Sequence, residues 1–540
     1  MMKNPITLTV PLAARMTCHL VKFPFTFPRT FSRTFFLALF LVFAGSALAA
    51  PFVTVGNPST NEVSVVDMAN FTARVAASLD GATRIVASKP AGKVFMNTTN
   101  GIAIIDPALT RIVDRIPLPE PVTDLIVDVT GCRLYALSAT AVHVINITMH
   151  NVLATIPLSA APLALVADDE GARAYVLTPG RLDMIYAPSG VVIKSVALDP
   201  SASALALSRE GGKLIVASSG NNGGTAGITI VHGATLDIEK SIPTAALAPD
   251  IHPTRLLISP KDDRVIVFGG GSTSKTVSYL VLDTVSTTAR AVQVPITQSP
   301  QPQMTAFNGP VLLGPDGTTL YVGGGSTPNA NVVAEIDTAT ESNRRVLALP
   351  SNGAEYHYLN GLDSSNTAGR FVLVGFIFEH RIHSASEPRS VGFIDVASGA
   401  TMANVVFAQS GQPSTALFGN VLDSGPQKVE ATTTLLLSEP NPAAATVTQT
   451  FTANVSGNNP GGQVVFRFQN GSQVDAPVIR KTVPLKSNVA TLVLPSCNTV
   501  WPDAALHLIA CSPRFLVTAI YKGDQDHLKS RSQEIIASRY

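Results

Sequence analysis

From residue 52 to about residue 426 the chain repeats one order of apolar and polar positions. A short apolar run is followed by a Gly/Asp turn and a second run. A polar loop then leads to a third run that ends on a polar residue, and a fourth run follows. Gly92-Lys93-Val94-Phe95-Met96-Asn97, Gly101-Ile102-Ala103-Ile104-Ile105-Asp106 and Arg111 through Leu118 show it. Gly131 through Ala136, Ala141 through Asn146 and Val152 through Leu158 repeat it, as do Asp316 through Val322 and Val332 through Asp337. Runs this short, with turn residues between them, predict strands, and the 3.6-residue period of a helix is missing.

The residue closing the third run is a ruler. It stands at Asp67, Asp106, Asn146, Tyr186, His232, Asp283, Asp337 and Asp395. Four short strands in about forty residues make one blade of a β-propeller. The copies lengthen where Gly269-Gly270-Gly271-Ser272 and Gly323-Gly324-Gly325-Ser326 occur. The first copy, from Phe52, lacks an opening strand, whereas residues 412–422 supply such a strand with no copy after it. Donating 412–422 back to the first copy closes a ring without a long unpaired edge. The ruler therefore predicts eight blades, with seven as the alternative.

Val53-Thr54-Val55-Gly56-Asn57, Val63-Ser64-Val65-Val66-Asp67, the Ile-Pro-Leu endings at Ile116 and Ile156, and Ile336-Asp337-Thr338 resemble the YVTN family of propeller repeats. The resemblance spans about residues 52–426 and departs at Tyr186, at His232 and in the last copy. It implies a fold and no particular chemistry, since propellers host unrelated functions. Its members usually have seven blades, hence the alternative count.

Past Gly425-Pro426 the pattern changes to alternating strands. These are Thr432 through Leu437, Gln449 through Val455, Gly462 through Phe468, Ala490 through Leu494 and Phe515 through Tyr521, with turn signals between them. About 110 residues of this kind predict a β-sandwich. Thr432 to Pro442, Thr450 to Val455, Gly462 to Phe466 and Val517 to Asp524 look like a bacterial Ig-like domain, which the resemblance implies to be a spacer or adhesive module. The expected class is thus all-β. A propeller spans 50–427, closed by strand 412–422, and an Ig-like sandwich spans 428–540.

Residues 1–49 read as a secretory signal. Lys3, Arg15, Lys22, Arg29 and Arg33 precede the apolar run Phe35 to Ala44, and Ala47-Leu48-Ala49 forms a small-residue exit. That run is too short to span a bilayer, so no transmembrane anchor is expected, and the location is secreted, extracellular or periplasmic. The whole chain carries 38 basic and 37 acidic residues; without those five basic ones it is about −4. Such a surface offers nucleic acid no attraction. In an oxidising compartment Cys497 and Cys511 are expected to pair, with Cys18 leaving in the leader and Cys132 isolated.

Candidate chemistry is sparse. His380 and His383, with Glu379 beside them and His357 upstream, are weak metal candidates; they follow a strand, and a solvated loop is the better reading. His232 stands where a turn Asp would accept backbone hydrogen bonds. The triple-glycine loops lack a P-loop Lys and read as turns. No catalytic or cofactor-binding residue is indicated. The pattern points to a non-enzymatic binding or scaffold protein of the cell envelope or extracellular space. Its partner would be a protein, glycan or small molecule at the channel mouth. The alternatives are a lactonase-like propeller hydrolase with a metal or carboxylate site, and a structural adhesion or surface-layer component.

Overall fold

The computed structural model describes residues 51–539 apart from several segments. The longer of these are 297–305, 325–330, 351–355, 381–388, 408–417, 423–433, 471–477 and 522–529. The leader prediction lies outside the described residues. The all-β expectation holds: eight four-stranded antiparallel sheets precede two sheets of a C-terminal module. Sheet 1 combines residues 52–78 with the strand Phe418–Leu422. Sheets 2 to 8 comprise residues 85–117, 122–157, 164–197, 202–243, 255–295, 311–348 and 356–407.

The middle strands read as continuous apolar runs because both of their faces are buried. Gly101–Asp106 is buried along all but its last residue, whereas the outer strand Arg111–Pro117 is mostly exposed. Each sheet shares one apolar cluster with the sheet before it and another with the sheet after it. Phe95, Ile104, Leu134 and Ile145 join sheets 2 and 3. Val53, Val66, Phe376 and Phe393 join sheet 8 to sheet 1. Phe52, Val65, Val94 and Ile105 continue from sheet 1 to sheet 2. The core is therefore a ring of inter-sheet layers, as in a β-propeller.

That ring is closed by hydrogen bonding as well as packing. Phe52–Asn57 pairs antiparallel with Phe418–Leu422, with Val53 opposite Val421 and Thr54 opposite Asn420. Residues 412–417 lie outside the described residues.

The two faces of the ring differ. Connections from the first to the second strand and from the third to the fourth are uniformly short, for example 107–110, 147–150, 284–287 and 338–341. We call this the turn face. Connections from the second strand to the third, and from one sheet to the next, lie on the other side and vary. They grow from 139–140 and 118–121 to 219–226, 269–275, 244–254 and 296–310. We call this the loop face.

The C-terminal module packs a three-stranded sheet (Thr434–Glu439, Gln449–Val455, Val489–Leu494) against a larger one built on Gln463–Asn470, Val478–Pro484 and Phe515–Tyr521. Phe451, Phe466, Phe468 and Phe515 fill the space between them. Cys497 and Cys511 form a disulfide. Inside that loop lies a short helix, Ala504–Ala510, that the strand pattern did not predict; the Asp503 carboxylate caps it by accepting the Leu506 N–H at 2.8 Å.

The outward faces of these two sheets are unlike. On the smaller sheet Leu435 and Val493 are exposed. On the larger sheet Val465, Thr518 and Ile520 are almost fully buried although they point away from the sandwich core. Arg480, on the same face as Arg467, shows what lies against it. Its guanidinium sits 3.7 Å from the Asp168 carboxylate of sheet 4, and both side chains are buried. Asp168 follows the inner strand Ala164–Ala167, so the module rests on the turn face.

Candidate functional site

An acid repeated at the ruler position in most of the eight sheets could be taken for a catalytic set. Asp67 accepts the N–H of Ala69, Asn146 those of Thr148 and Met149, Asp283 those of Val285 and Ser286, and Asp337 those of Ala339 and Thr340, at 2.8 to 3.0 Å. His232 does the same with Nδ1, which accepts from the N–H of Ala234 and Thr235. An accepting Nδ1 places the neutral ring's proton on Nε2. Asp337 also binds Arg344, whose hydrogen bond leads the causes that lower its carboxyl to about 2. These residues are spread around the turn face, one per sheet, and all but Tyr186, whose backbone carbonyl accepts in its turn instead, are spent on their own turns.

The weak metal candidates of the last repeat fall at the edge of the described residues. His380 ends the strand Arg370–His380, and His383 lies outside the described residues. Among the described residues no group of three His, Cys, Asp or Glu side chains could hold a metal ion. No helix among them is long and apolar enough to cross a membrane.

The loop face holds the side chains that point to a site. The inner strands run from the loop face toward the turn face, so their first residues ring the channel mouth. Arg84 precedes the inner strand of sheet 2 and lies 3.6 Å from Asp124 of sheet 3, both well exposed. Buried Asn97 sets this corner. Its Oδ1 accepts the N–H of Thr83 and Arg84, and its Nδ2 donates to the Val122 carbonyl at 2.8 Å. On the other side of the mouth, Arg255 opens the inner strand of sheet 6 and donates through Nη1 to the Gly309 carbonyl. The connection before it is held by His252, whose N–H donates to the Gly269 carbonyl and whose Nδ1 donates to the Ser219 carbonyl at 3.0 Å.

Between these groups the channel wall of sheets 4 to 7 forms an open recess of about 520 Å³. It is lined by Ala164, Ser203, Ala204, Leu205, Arg255, Leu256, Leu257, Pro310 and Val311. Seven of the nine belong to the loop-face half of an inner strand or just precede it, and Leu205 and Leu257 lie just past the middle of theirs. The loop beside it is clamped by Asp199, whose carboxylate accepts the N–H of Ser201 and Thr225. Burial opposes ionisation of Asp199, and these hydrogen bonds outweigh it, so its pKa is lowered. Gly224 closes the same turn: a Cβ there would stand 2.0 Å from Asp199 Oδ1.

A second polar cluster lies between sheets 2 and 3. Glu120 accepts from the Thr140 hydroxyl at 2.6 Å, which with Ser138 holds its carboxyl below the usual range. His143 is buried, with Nδ1 3.1 Å from Thr155 Oγ1 and no partner for Nε2 among the described residues. Burial lowers its pKa, with Glu120 acting weakly the other way.

Arg84, Asp124, Ser203 and Arg255 do not stand out in the sequence. Arg84, Asp124 and Arg255 each follow a threonine (Thr83, Thr123 and Thr254) at the start of a short strand, and Ser203 stands at the threonine position of its copy. This recurring position in successive copies of the repeat is the only signal that could have found them.

No protein-family model matches the chain, and no curated protein matches it in sequence. Solved structures of propeller type are similar in outline. Dihydro-heme d1 dehydrogenase NirN is 14% identical with a TM-score of 0.46, covering 70% of this chain and 75% of that one. A eukaryotic initiation factor is 11% identical with a TM-score of 0.45, covering 68% and 98%. Hydrazine synthase of Kuenenia stuttgartiensis is 13% identical with a TM-score of 0.40, covering 63% and 98%.

Proposed function

We propose that this chain is an exported, non-enzymatic binding protein. In this reading residues 1–49 are a cleaved leader and 50–427 an eight-bladed propeller of YVTN type. Residues 428–540 are an Ig-like module that carries or spaces it at the cell envelope or outside the cell. The ligand enters from the loop face. The observation that carries the reading is the asymmetry of the ring: the variable connections and the recess share one face, while the other face is built of uniform turns and bears the second module. Binding surfaces concentrate where loops vary on a rigid scaffold.

The test is a thermal-shift panel of the mature protein against glycans, small organic acids and amines, and divalent ions. The wild type is compared with Ser203→Trp, which fills the recess. At least one compound class is expected to raise the melting temperature, with the rise abolished by Ser203→Trp. A stoichiometric divalent ion removed by chelator, together with lactone or ester turnover, would replace the binding reading with the hydrolase one.

A further inference from the structure

The lining of the recess is selective in what it leaves out. Seven of its nine residues are aliphatic (Ala164, Ala204, Leu205, Leu256, Leu257, Pro310, Val311), one is Ser203, and Arg255 is its only charge. None of the nine is aromatic and none is acidic. Sugars are usually held by stacked rings and by carboxylates or amides that accept from their hydroxyls, and neither is in this lining. A cationic ligand would meet Arg255 with no acid to balance it. A polyanion would need several cations where one is present. The volume of 520 Å³ is that of a small-molecule site, which run from about 300 to 1,000 Å³.

Arg255 is also placed to serve. It is solvent-exposed, and its Nη1 contact with the Gly309 carbonyl fixes the guanidinium beside Pro310 and Val311. A guanidinium has five N–H donors in a planar fork, so donors remain for a carboxylate. Leu256 and Leu257 continue from it down the inner strand, packed on the clusters to either side, and each leaves part of its side chain exposed at the recess.

We propose that the recess binds an aliphatic monocarboxylate, with its acid group on Arg255 and its hydrocarbon chain along Leu256, Leu257, Leu205 and Val311. This deepens the binding reading given above and rests on it. The acid group and the chain contribute separately. A charge-assisted hydrogen bond favours the acid over the matching alcohol by roughly tenfold or more. Each further methylene buried adds up to about fourfold in affinity.

The experiment is isothermal titration calorimetry of the full mature chain, below micelle-forming concentrations, with octanoate, decanoate, decanol and decyltrimethylammonium. Decanoate is expected to bind at least about tenfold more tightly than decanol and more tightly than octanoate, with the ammonium compound weakest. Arg255→Gln should bring decanoate down to the level of decanol, and Arg255→Lys should restore part of the difference. Both variants are to be checked for an unchanged melting temperature. Equal binding of acid and alcohol, tighter binding of the ammonium compound, or an acid preference untouched by Arg255→Gln would overturn the proposal. If acid and alcohol bind equally and both are lost in Ser203→Trp, the recess remains the binding site and only the acid class falls. If none of the four binds, the acid class falls again, and the thermal-shift panel decides the broader reading by itself.

Discussion

At the level of single residues, the turn between third and fourth strands shows what one side chain does in seven of the eight sheets. The residue four places after each ruler position has positive φ. It is glycine at Gly190 and Gly399, but Phe71, Thr110, His150, Leu236, Thr287 and Glu341 elsewhere, all between 49° and 55°. Left-handed backbone costs a β-branched residue more than a glycine, so the accepting ruler side chain holds the turn against that strain. Thr287→Gly is expected to raise stability by about 0.5–1 kcal/mol in urea unfolding. Asp283→Ala, which leaves the Val285 and Ser286 N–H groups without their acceptor, should lower it by about 1–2 kcal/mol. His143 gives a second expectation, with its sign set by burial. Burial holds its folded pKa below the ordinary histidine value of about 6.5, so the unfolded chain binds more protons once pH falls beneath that value. Stability contributed by the neutral ring is full above about pH 6.5 and is lost below it. The melting temperature should fall between about pH 7.5 and about pH 5.5, and by less in His143→Gln.

Among the elements, the outer strands share a device. In every sheet of the ring except sheet 6 and its 8-residue outer strand, the pairing of third and fourth strands slips by one residue, as between Ile104 and Ile105 or Val144 and Ile145. A bulge at that place adds twist to the strand that faces solvent. The helix Ala504–Ala510 is the element that strand periodicity missed. Its signal was local, an Asp N-cap ahead of Ala-Ala-Leu, inside a segment otherwise marked only by two cysteines. The disulfide closes a loop of sequence separation 14, worth about 3 kcal/mol as loop entropy. Cys497→Ser with Cys511→Ser should therefore cost the C-terminal module about 2–4 kcal/mol in denaturant unfolding, leaving the ring's own transition in place. Beside it, Arg539 is almost fully buried and donates to Gln449 Oε1, the Leu494 and Pro495 carbonyls and Cys497 Sγ. Arg539→Ala, which strands these acceptors, should cost that module about 3–5 kcal/mol in the same measurement.

For the whole molecule, closure is the property that matters, because the ring has no terminus that can fray while Phe418–Leu422 stays paired. Val421 is the sensitive point: it is buried, sits opposite Val53, and its N–H donates to Asp363 at 2.8 Å. Val421→Pro removes that donor and should cost about 3 kcal/mol or more, with hydrogen exchange accelerating first in Phe52–Asn57. The repeated four-stranded sheets were legible in the chain because both faces of a middle strand must be apolar, and a run such as Gly101–Asp106 records that constraint directly. The Asp turns were legible for the same local reason, and so was the pairing of two nearby cysteines in an oxidising setting. The channel mouth was not. Arg84 and Asp124 lie 40 residues apart in the chain and Arg255 far beyond them, and nothing in the sequence near any one of them encodes its neighbour. The covering of Val465, Thr518 and Ile520 by the ring was equally hidden, since alternation predicts one wet face for a sandwich sheet and Arg480 meets Asp168 across two modules. Sequence by itself determined the period, the strands and their turns, because those depend on contacts within one repeat. Only tertiary structure decided which lone polar residues share the mouth and which sheet face is dry, because those follow from closing the ring and seating a second body on it.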